Sequence, residues 1–248
     1  MPAQDRPDSI GARLAAVRDR IAKAEAAAGR PAGSVRLLAV SKTFPAAAVR
    51  EAAAAGQAAF GENYLQEAAA KMAALADLAL EWHFIGPLQS NKTRAVAERF
   101  AWVHGVDRLK IAQRLSDQRP DHLPPLHVCI QVNVSGEATK AGVAPEAAAE
   151  LARAVAALPR LRLRGLMTLP APQADPARQR EPFARLRRLY EALRAEGLDL
   201  DTLSMGMTGD LEAAVAEGAT IVRVGTGIFG QRRGKGAGDR GPDPRMQG

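Results

Sequence analysis

A single cysteine, Cys129, stands in a chain of 248 residues. One thiol excludes a disulfide within the chain and a multi-cysteine metal centre, and it suits a reducing cytoplasm. Cys129 lies inside the apolar run Leu126 to Val134, where a thiol packs as a small hydrophobe. Aromatic residues make up only 4% of the chain, so its core is expected to consist mainly of Ala, Leu and Val. No apolar run approaches the length of a membrane span. Met1 to Arg20 is charged throughout and lacks the apolar stretch of a signal peptide. A basic stripe interleaved with aromatics is missing too, which argues against nucleic-acid binding. The net charge of +7 comes largely from arginines scattered over helix faces and from the tail Arg232 to Arg245, and reads as solubility. No apolar patch stands out beyond the expected core, so a monomer is expected.

What the chain does have is alternation. Asp8-Ser9 caps a predicted helix running to about Ala28, with Gly29 and Pro31 as stop signals. Its residues Ile10, Leu14, Val17 and Ile21 keep helical spacing. Eight strand-like runs follow: Val35 to Ser41, Ala58 to Gly61, Trp82 to Gly86, Trp102 to Val106, Leu126 to Val134, Leu163 to Leu169, Thr202 to Met205 and Ile221 to Gly225. Seven helical patterns separate or follow them, from Ala46 to Ala55 through to Asp210 to Glu217. Several strand runs are continuously apolar, as expected when both faces are covered. The fold class is therefore α/β, a single (β/α)8 TIM barrel with an extra N-terminal helix. An open doubly wound sheet would more often place a Gly-rich turn after its first strand, where this chain reads Ser41-Lys42-Thr43-Phe44-Pro45. Residues 1–232 form the predicted domain. Residues 233–248, rich in Gly, Pro and charge, read as a disordered tail.

In a barrel, function collects where strands end and βα loops begin. The first strand ends at Lys42. A loop lysine is ordinarily a solvated charge, but partial desolvation favours the neutral amine that Schiff-base chemistry needs. Asn63, after the second strand, offers a hydrogen bond or caps the next helix. His83 reads as a packed, hydrogen-bonded histidine, and Lys92 and Lys140 as solvated amines. Met167, after the sixth run's Gly165-Leu166, reads equally as a soft apolar wall for a ring or as plain core packing. The loops after strands seven and eight contain Ser204-Met205-Gly206-Met207-Thr208-Gly209-Asp210 and Arg223-Val224-Gly225-Thr226-Gly227-Ile228-Phe229-Gly230. These two loops commonly form the phosphate site of a barrel, with Ser204, Thr208, Gly225 and Thr226 as suitable donors. A lysine at one end of the mouth and a phosphate cradle at the other is what pyridoxal 5′-phosphate (PLP) requires. Arg223, near the end of strand eight, reads either as a donor to the pyridine nitrogen or as a barrel-layer or interface salt bridge. At that nitrogen it would be a donor that does not give up its proton, which would make the ring a poor electron sink.

Longer stretches carry a resemblance. Leu37-Leu38-Ala39-Val40-Ser41-Lys42-Thr43, Phe60-Gly61-Glu62-Asn63-Tyr64, Trp82 through Lys92, Arg164-Gly165-Leu166-Met167, Leu203-Ser204-Met205-Gly206-Met207 and Val222 through Gly230 resemble the YggS/PROSC family of PLP homeostasis proteins. The resemblance implies a fold like the N-terminal barrel of alanine racemase and PLP held as a Schiff base on Lys42. It implies phosphate contacts at Ser204, Met207, Thr208, Gly225 and Thr226, a ring-nitrogen contact at Arg223, and a pocket lined by Asn63 and Met167. Thr208 stands where many members carry Ser, and it keeps the hydroxyl. The implied role is a cytoplasmic PLP carrier or regulator, with PLP-dependent apoenzymes as partners and no efficient turnover. The competing reading is an amino-acid racemase. Two-base racemisation needs a second acid/base on the opposite ring face; in alanine racemase a tyrosine from a separate domain supplies it, and neither Tyr64 nor Tyr190 is placed to do so.

Overall fold

The computed structural model describes residues 8–136, 141–173 and 175–231. The expected tail and Lys140 lie outside the described residues. The elements run α1 (Ile10–Ala27), β1 (Arg36–Val40), α2 (Ala46–Ala54), β2 (Ala59–Glu62), α3 (Leu65–Ala74), β3 (Glu81–Phe84), a 3-10 turn (Ser90–Lys92), α4 (Thr93–Arg99), β4 (Trp102–Val106), α5 (Leu109–Gln118), β5 (Leu126–Gln131), α6 (Pro145–Ala156), β6 (Leu161–Met167), α7 (Pro176–Ala195), β7 (Thr202–Ser204), α8 (Leu211–Ala216), β8 (Ile221–Val224) and α9 (Thr226–Phe229). Each strand pairs in parallel with the next, and β8 closes onto β1 through Arg36 to Ala39 against Ile221 to Val224. The expected eight-stranded barrel and its N-terminal helix are both present.

Strand parity decides what faces the barrel axis, because successive side chains point to opposite faces. Leu38, Val40, Ala59, Trp102, Cys129, Met167 and Ile221 form one inner cluster. Their chain neighbours Leu37, Ala39, Phe60, Val103, Leu166 and Val222 belong to the larger cluster beneath the helices. β2, β4, β7 and β8 are buried along their whole length, as parallel strands covered on both faces are. The same parity carries Arg36, Leu38, Val40 and then Lys42 up one side of the interior. Cys129 is fully buried, and burial pushes its thiol up to about 12, so it packs and does not react.

The extra helix α1 has a defined task. Its Ser9 cap accepts from the Ala12 amide, and its buried stripe Ile10, Leu14, Val17 and Ile21 packs against the outer layer beside α2, α8 and α9. Arg13 Nε then donates to the Ile228 carbonyl at 2.7 Å. Arg20 forks onto Glu212 at 2.9 Å and donates to the Thr208 carbonyl at 3.0 Å. α1 thus ties down the two segments that follow β7 and β8. The short helix α9, within the stretch from Gly225 to Gly230, was not expected from the sequence; four residues are too few to show helical periodicity.

Candidate functional site

A cavity of about 290 Å3 opens at the C-terminal ends of the strands, at the lower end of the range for small-molecule sites. Two cations, Lys42 and Arg223, line it, with Asn63, Met207, Thr208 and Thr226 as its polar or flexible wall. Gly209 and Gly225 bring backbone to the cavity, and Val40, Phe44, Ile85 and Leu169 supply its apolar surface. Among the described residues no acidic side chain lines it, a balance that suits a multiply charged anion.

Lys42 is half-buried, and the loop that carries it is clamped on both sides. On α3, the buried Lys71 Nζ donates to the Ser41 carbonyl at 2.6 Å, to Glu62 Oε1 at 2.7 Å and to Glu67 Oε1 at 2.6 Å. Ser41 Oγ donates to Glu62 Oε1 at 2.6 Å, and Glu67 Oε1 accepts the Thr43 amide at 2.5 Å. Burial raises the Glu62 pKa, and the hydrogen bonds from Lys71 and Ser41 only partly offset it. Thr43 takes φ 69°, the left-handed region that a β-branched residue rarely occupies. Such a conformation costs about 1–3 kcal/mol and persists where surrounding contacts over-determine it. Here those contacts fix the residues on either side of the amine.

Asn63 sits where β2 ends, and its Oδ1 is buried without a hydrogen-bond partner. Its backbone abuts Gly86: a Cβ there would lie 2.5 Å from the Asn63 carbonyl oxygen, so only glycine lets the end of β3 come this close. Opposite, Thr208 and Thr226 bring their hydroxyls to 3.4 Å from each other. Gly225 precedes the first turn of α9, whose leading amides have no acceptor within the helix. Its own lack of a side chain keeps it close to β1, since a Cβ would lie 3.2 Å from the Val40 carbonyl oxygen.

Arg223 is buried beneath this surface. One terminal nitrogen donates to Ser204 Oγ at 2.7 Å and the other to the Thr168 carbonyl at 2.8 Å. Burial lowers its pKa to about 10, with Asp210 opposing, so the guanidinium stays charged at neutral pH. Asp210 is pushed up by burial, and its Oδ1 accepts the Met207 amide at 2.6 Å.

Seven of the nine residues expected from the sequence meet at this cavity: Lys42, Asn63, Met207, Thr208, Arg223, Gly225 and Thr226. Two do not. Ser204 ends β7 one layer lower, fully buried, with its hydroxyl engaged by Arg223 and His104. Met167 is fully buried in the inner cluster below the lining. The Met207 amide, expected at a phosphate, is already used by Asp210. His83 is the packed histidine expected, and Lys92 does not line the cavity. Sequence reading passed over Lys71, Glu62, Phe44 and His104. Lys71 had left a trace: it falls three residues after Ala68 on the buried stripe of α3.

The interior histidines make the fold acid-sensitive. Burial holds His83 and His104 neutral below the usual imidazole range, and burial with Arg164 nearby brings half-buried His127 to about 4. Unfolding returns each ring to a pKa near 6.5, so below that pH the unfolded chain binds more protons. Stability is therefore full above about pH 6.5 and falls as the pH drops toward the folded values. Each ring that stays neutral costs up to about 2 kcal/mol at pH 5, less for the partly exposed His127. Urea unfolding at pH 5 is expected to show a lower midpoint than at pH 7; equal midpoints would contradict this assignment.

A parallel eight-stranded barrel with a lysine, a buried arginine and two threonines around one cavity at its strand ends has the layout of barrels that hold a phosphorylated small molecule. Comparison with known proteins narrows this. Residues 12–233 match the family of the alanine racemase N-terminal domain. The chain is 65% identical over 224 residues to the pyridoxal phosphate homeostasis protein of Pseudomonas aeruginosa PAO1, covering 90% of this chain and 96% of that protein. It is 53% identical over 228 residues to the pyridoxal phosphate homeostasis protein of Escherichia coli K12, covering 91% and 97%. The structure of PipY from Synechococcus elongatus PCC7942 solved with PLP bound superposes with a TM-score of 0.79 at 41% identity, covering 90% of this chain and all of that one. Alanine racemase from Corynebacterium glutamicum shares the fold, with a TM-score of 0.64 at 20% identity, and this chain spans 63% of its length. The chain belongs to the family of pyridoxal phosphate homeostasis proteins, built on the alanine racemase N-terminal barrel.

Proposed function

We propose that this chain binds PLP in the cavity at the strand ends, with Lys42 as its covalent anchor, and acts in PLP homeostasis as a carrier or regulator. The observation that carries the reading is the lining itself: one amine, one buried guanidinium, two threonine hydroxyls and an unpartnered Asn63 Oδ1, with no carboxylate among the described lining residues. These residues fit the cofactor's charge and polarity. When bound, PLP supplies a reactive aldehyde and an electron-withdrawing ring. Lys42 provides the amine for that aldehyde. Thr208, Gly225 and Thr226 provide hydroxyl and amide donors for the phosphate. Asn63 Oδ1 accepts from a ligand hydroxyl, and Arg223 keeps its proton beside the ring nitrogen.

The same reading has the protein work as a cytoplasmic monomer that supplies PLP-dependent apoenzymes, with residues 1–232 as its PLP-binding unit. It also has the protein turn over no amino acid efficiently. Among the described residues that line the cavity there is no tyrosine, histidine, cysteine or carboxylate to act as a second acid/base. Tyr64 is 55% exposed outside the lining, and the Tyr190 hydroxyl is spent on the Leu200 carbonyl at 2.9 Å. The PLP-loaded protein incubated with L- and D-amino acids is expected to show racemisation and transamination no faster than free PLP. Enzymatic rates abolished by Lys42→Ala would establish the racemase reading instead.

A further inference from the structure

Below the cavity, a line of buried polar side chains crosses the barrel from its floor to Arg223. Glu81 opens β3 at the floor, where its Oε1 meets Arg36 at 2.8 Å and His83 Nε2 at 2.5 Å. His83 Nδ1 lies 2.9 Å from His104 Nε2, and His104 Nδ1 lies 2.7 Å from Ser204 Oγ. Ser204 Oγ is in turn 2.7 Å from Arg223. His83, His104 and Ser204 are completely buried, and Arg223 nearly so. Such groups are ordinarily satisfied by partners, and each here finds two.

The two ends dictate every proton position between them. Arg223 is a donor only, so Ser204 Oγ accepts from it; at the other end ionised Glu81 accepts the proton of His83 Nε2, and with both rings neutral this leaves the Ser204 proton for His104 Nδ1. His104 then carries its proton on Nε2 and donates to His83 Nδ1. His83 carries its proton on Nε2 and donates to Glu81, an acceptor when ionised. All four bonds run one way, from Arg223 down to Glu81, and both imidazoles are neutral. Trp102 stacks on His83 at 5.3 Å between centroids with the planes 5° apart, and fixes that ring's plane. The charged groups bearing on the line are Arg36 and Glu81 at the floor, Arg223 and Asp210 above, and Arg164 and Asp201 beside Trp102.

We propose that Glu81, His83, His104 and Ser204 are positioning residues that hold Arg223 in one orientation, and so set the charge that a ligand's ring meets in the cavity. None of the four lines that cavity. They act through the guanidinium, whose second anchor is the Thr168 carbonyl.

Two measurements on the full chain test this, and only the second rests on the PLP reading above. Nitrogen NMR with labelled histidine, with the four histidines assigned by single substitution, is expected to show both interior rings neutral with the proton on Nε2 between pH 6 and 8. A proton on Nδ1 of either ring, or a charged ring at pH 7, overturns the chain. The second compares PLP binding by wild type, Glu81→Gln and Ser204→Ala. Glu81 is partly exposed at the floor, remote from the cavity, so its amide variant is the one less exposed to misfolding. Both variants are expected to weaken PLP about tenfold, as losing one charge-assisted contact predicts, and to shift the bound chromophore's absorption maximum and its pH titration. Variants that lose stability while the chromophore stays as in wild type overturn the proposal. Wild type that takes up no PLP sinks the PLP reading alone, and the tautomers still decide the chain.

Discussion

Lys42→Ala is expected to lower the affinity for PLP by at least about 100-fold, a loss of about 2.7 kcal/mol or more. The phosphate side of the cavity, with Thr208, Gly225 and Thr226, is untouched by this change, so weak, reversible binding persists. What disappears is the covalent link, which no other described group in the lining can make: the remaining cation, Arg223, is not a usable nucleophile. Lys42→Arg sharpens the test, because it restores the positive charge without the amine. If the lysine served only as a counter-ion for phosphate, the arginine variant would recover most of the affinity. We expect both variants to bind alike in equilibrium dialysis. A Lys42→Ala protein within a few-fold of wild type would show that the anchor lies elsewhere.

Gly165→Ala is expected to destabilise the fold by about 3 kcal/mol or more, a large share of the 5–15 kcal/mol that holds a typical domain together. Gly165 faces Thr202 across the β6–β7 ladder. A Cβ on Gly165 would overlap the Thr202 carbonyl oxygen and come within 2.7 Å of its carbon. Backbone in a neighbouring strand cannot swing aside as a long side chain can, so the two strands must part. The same ladder sets Met167 against Ser204, so the shift would reach the serine on which Arg223 rests. Urea unfolding followed by circular dichroism measures the loss. A change below about 1 kcal/mol would mean that this part of the barrel wall yields more easily than its geometry allows.

The barrel itself was legible because its signal repeats eight times, and each strand found lies within two or three residues of its run in the sequence. β5 ends at Gln131 rather than Val134, since an apolar run continues past the last ladder bond without changing character. Lys42 was legible because strand position alone puts it at the mouth. Ser204 and Met167 were placed on the right strands but one layer too high. Height inside a barrel depends on strand tilt and stagger, which no single strand's sequence reveals. For the same reason His83 read as an isolated packed histidine and His104 was passed over. They meet because β3 and β4 pair with His83 opposite Trp102, which sets His104 a layer above. Lys71 was passed over on an alanine-rich helix, because its three acceptors, the Ser41 carbonyl, Glu62 and Glu67, come together only once α3 has packed over β1 and β2.

The central claim is that this family member carries PLP on one particular amine. Borohydride reduction of the PLP-loaded protein, followed by proteolysis and peptide mass mapping, reads that directly. The account predicts a single phosphopyridoxyl group on the peptide that contains Lys42. An adduct on Lys71, Lys92, Lys140 or any other lysine, or no adduct at all, would contradict it.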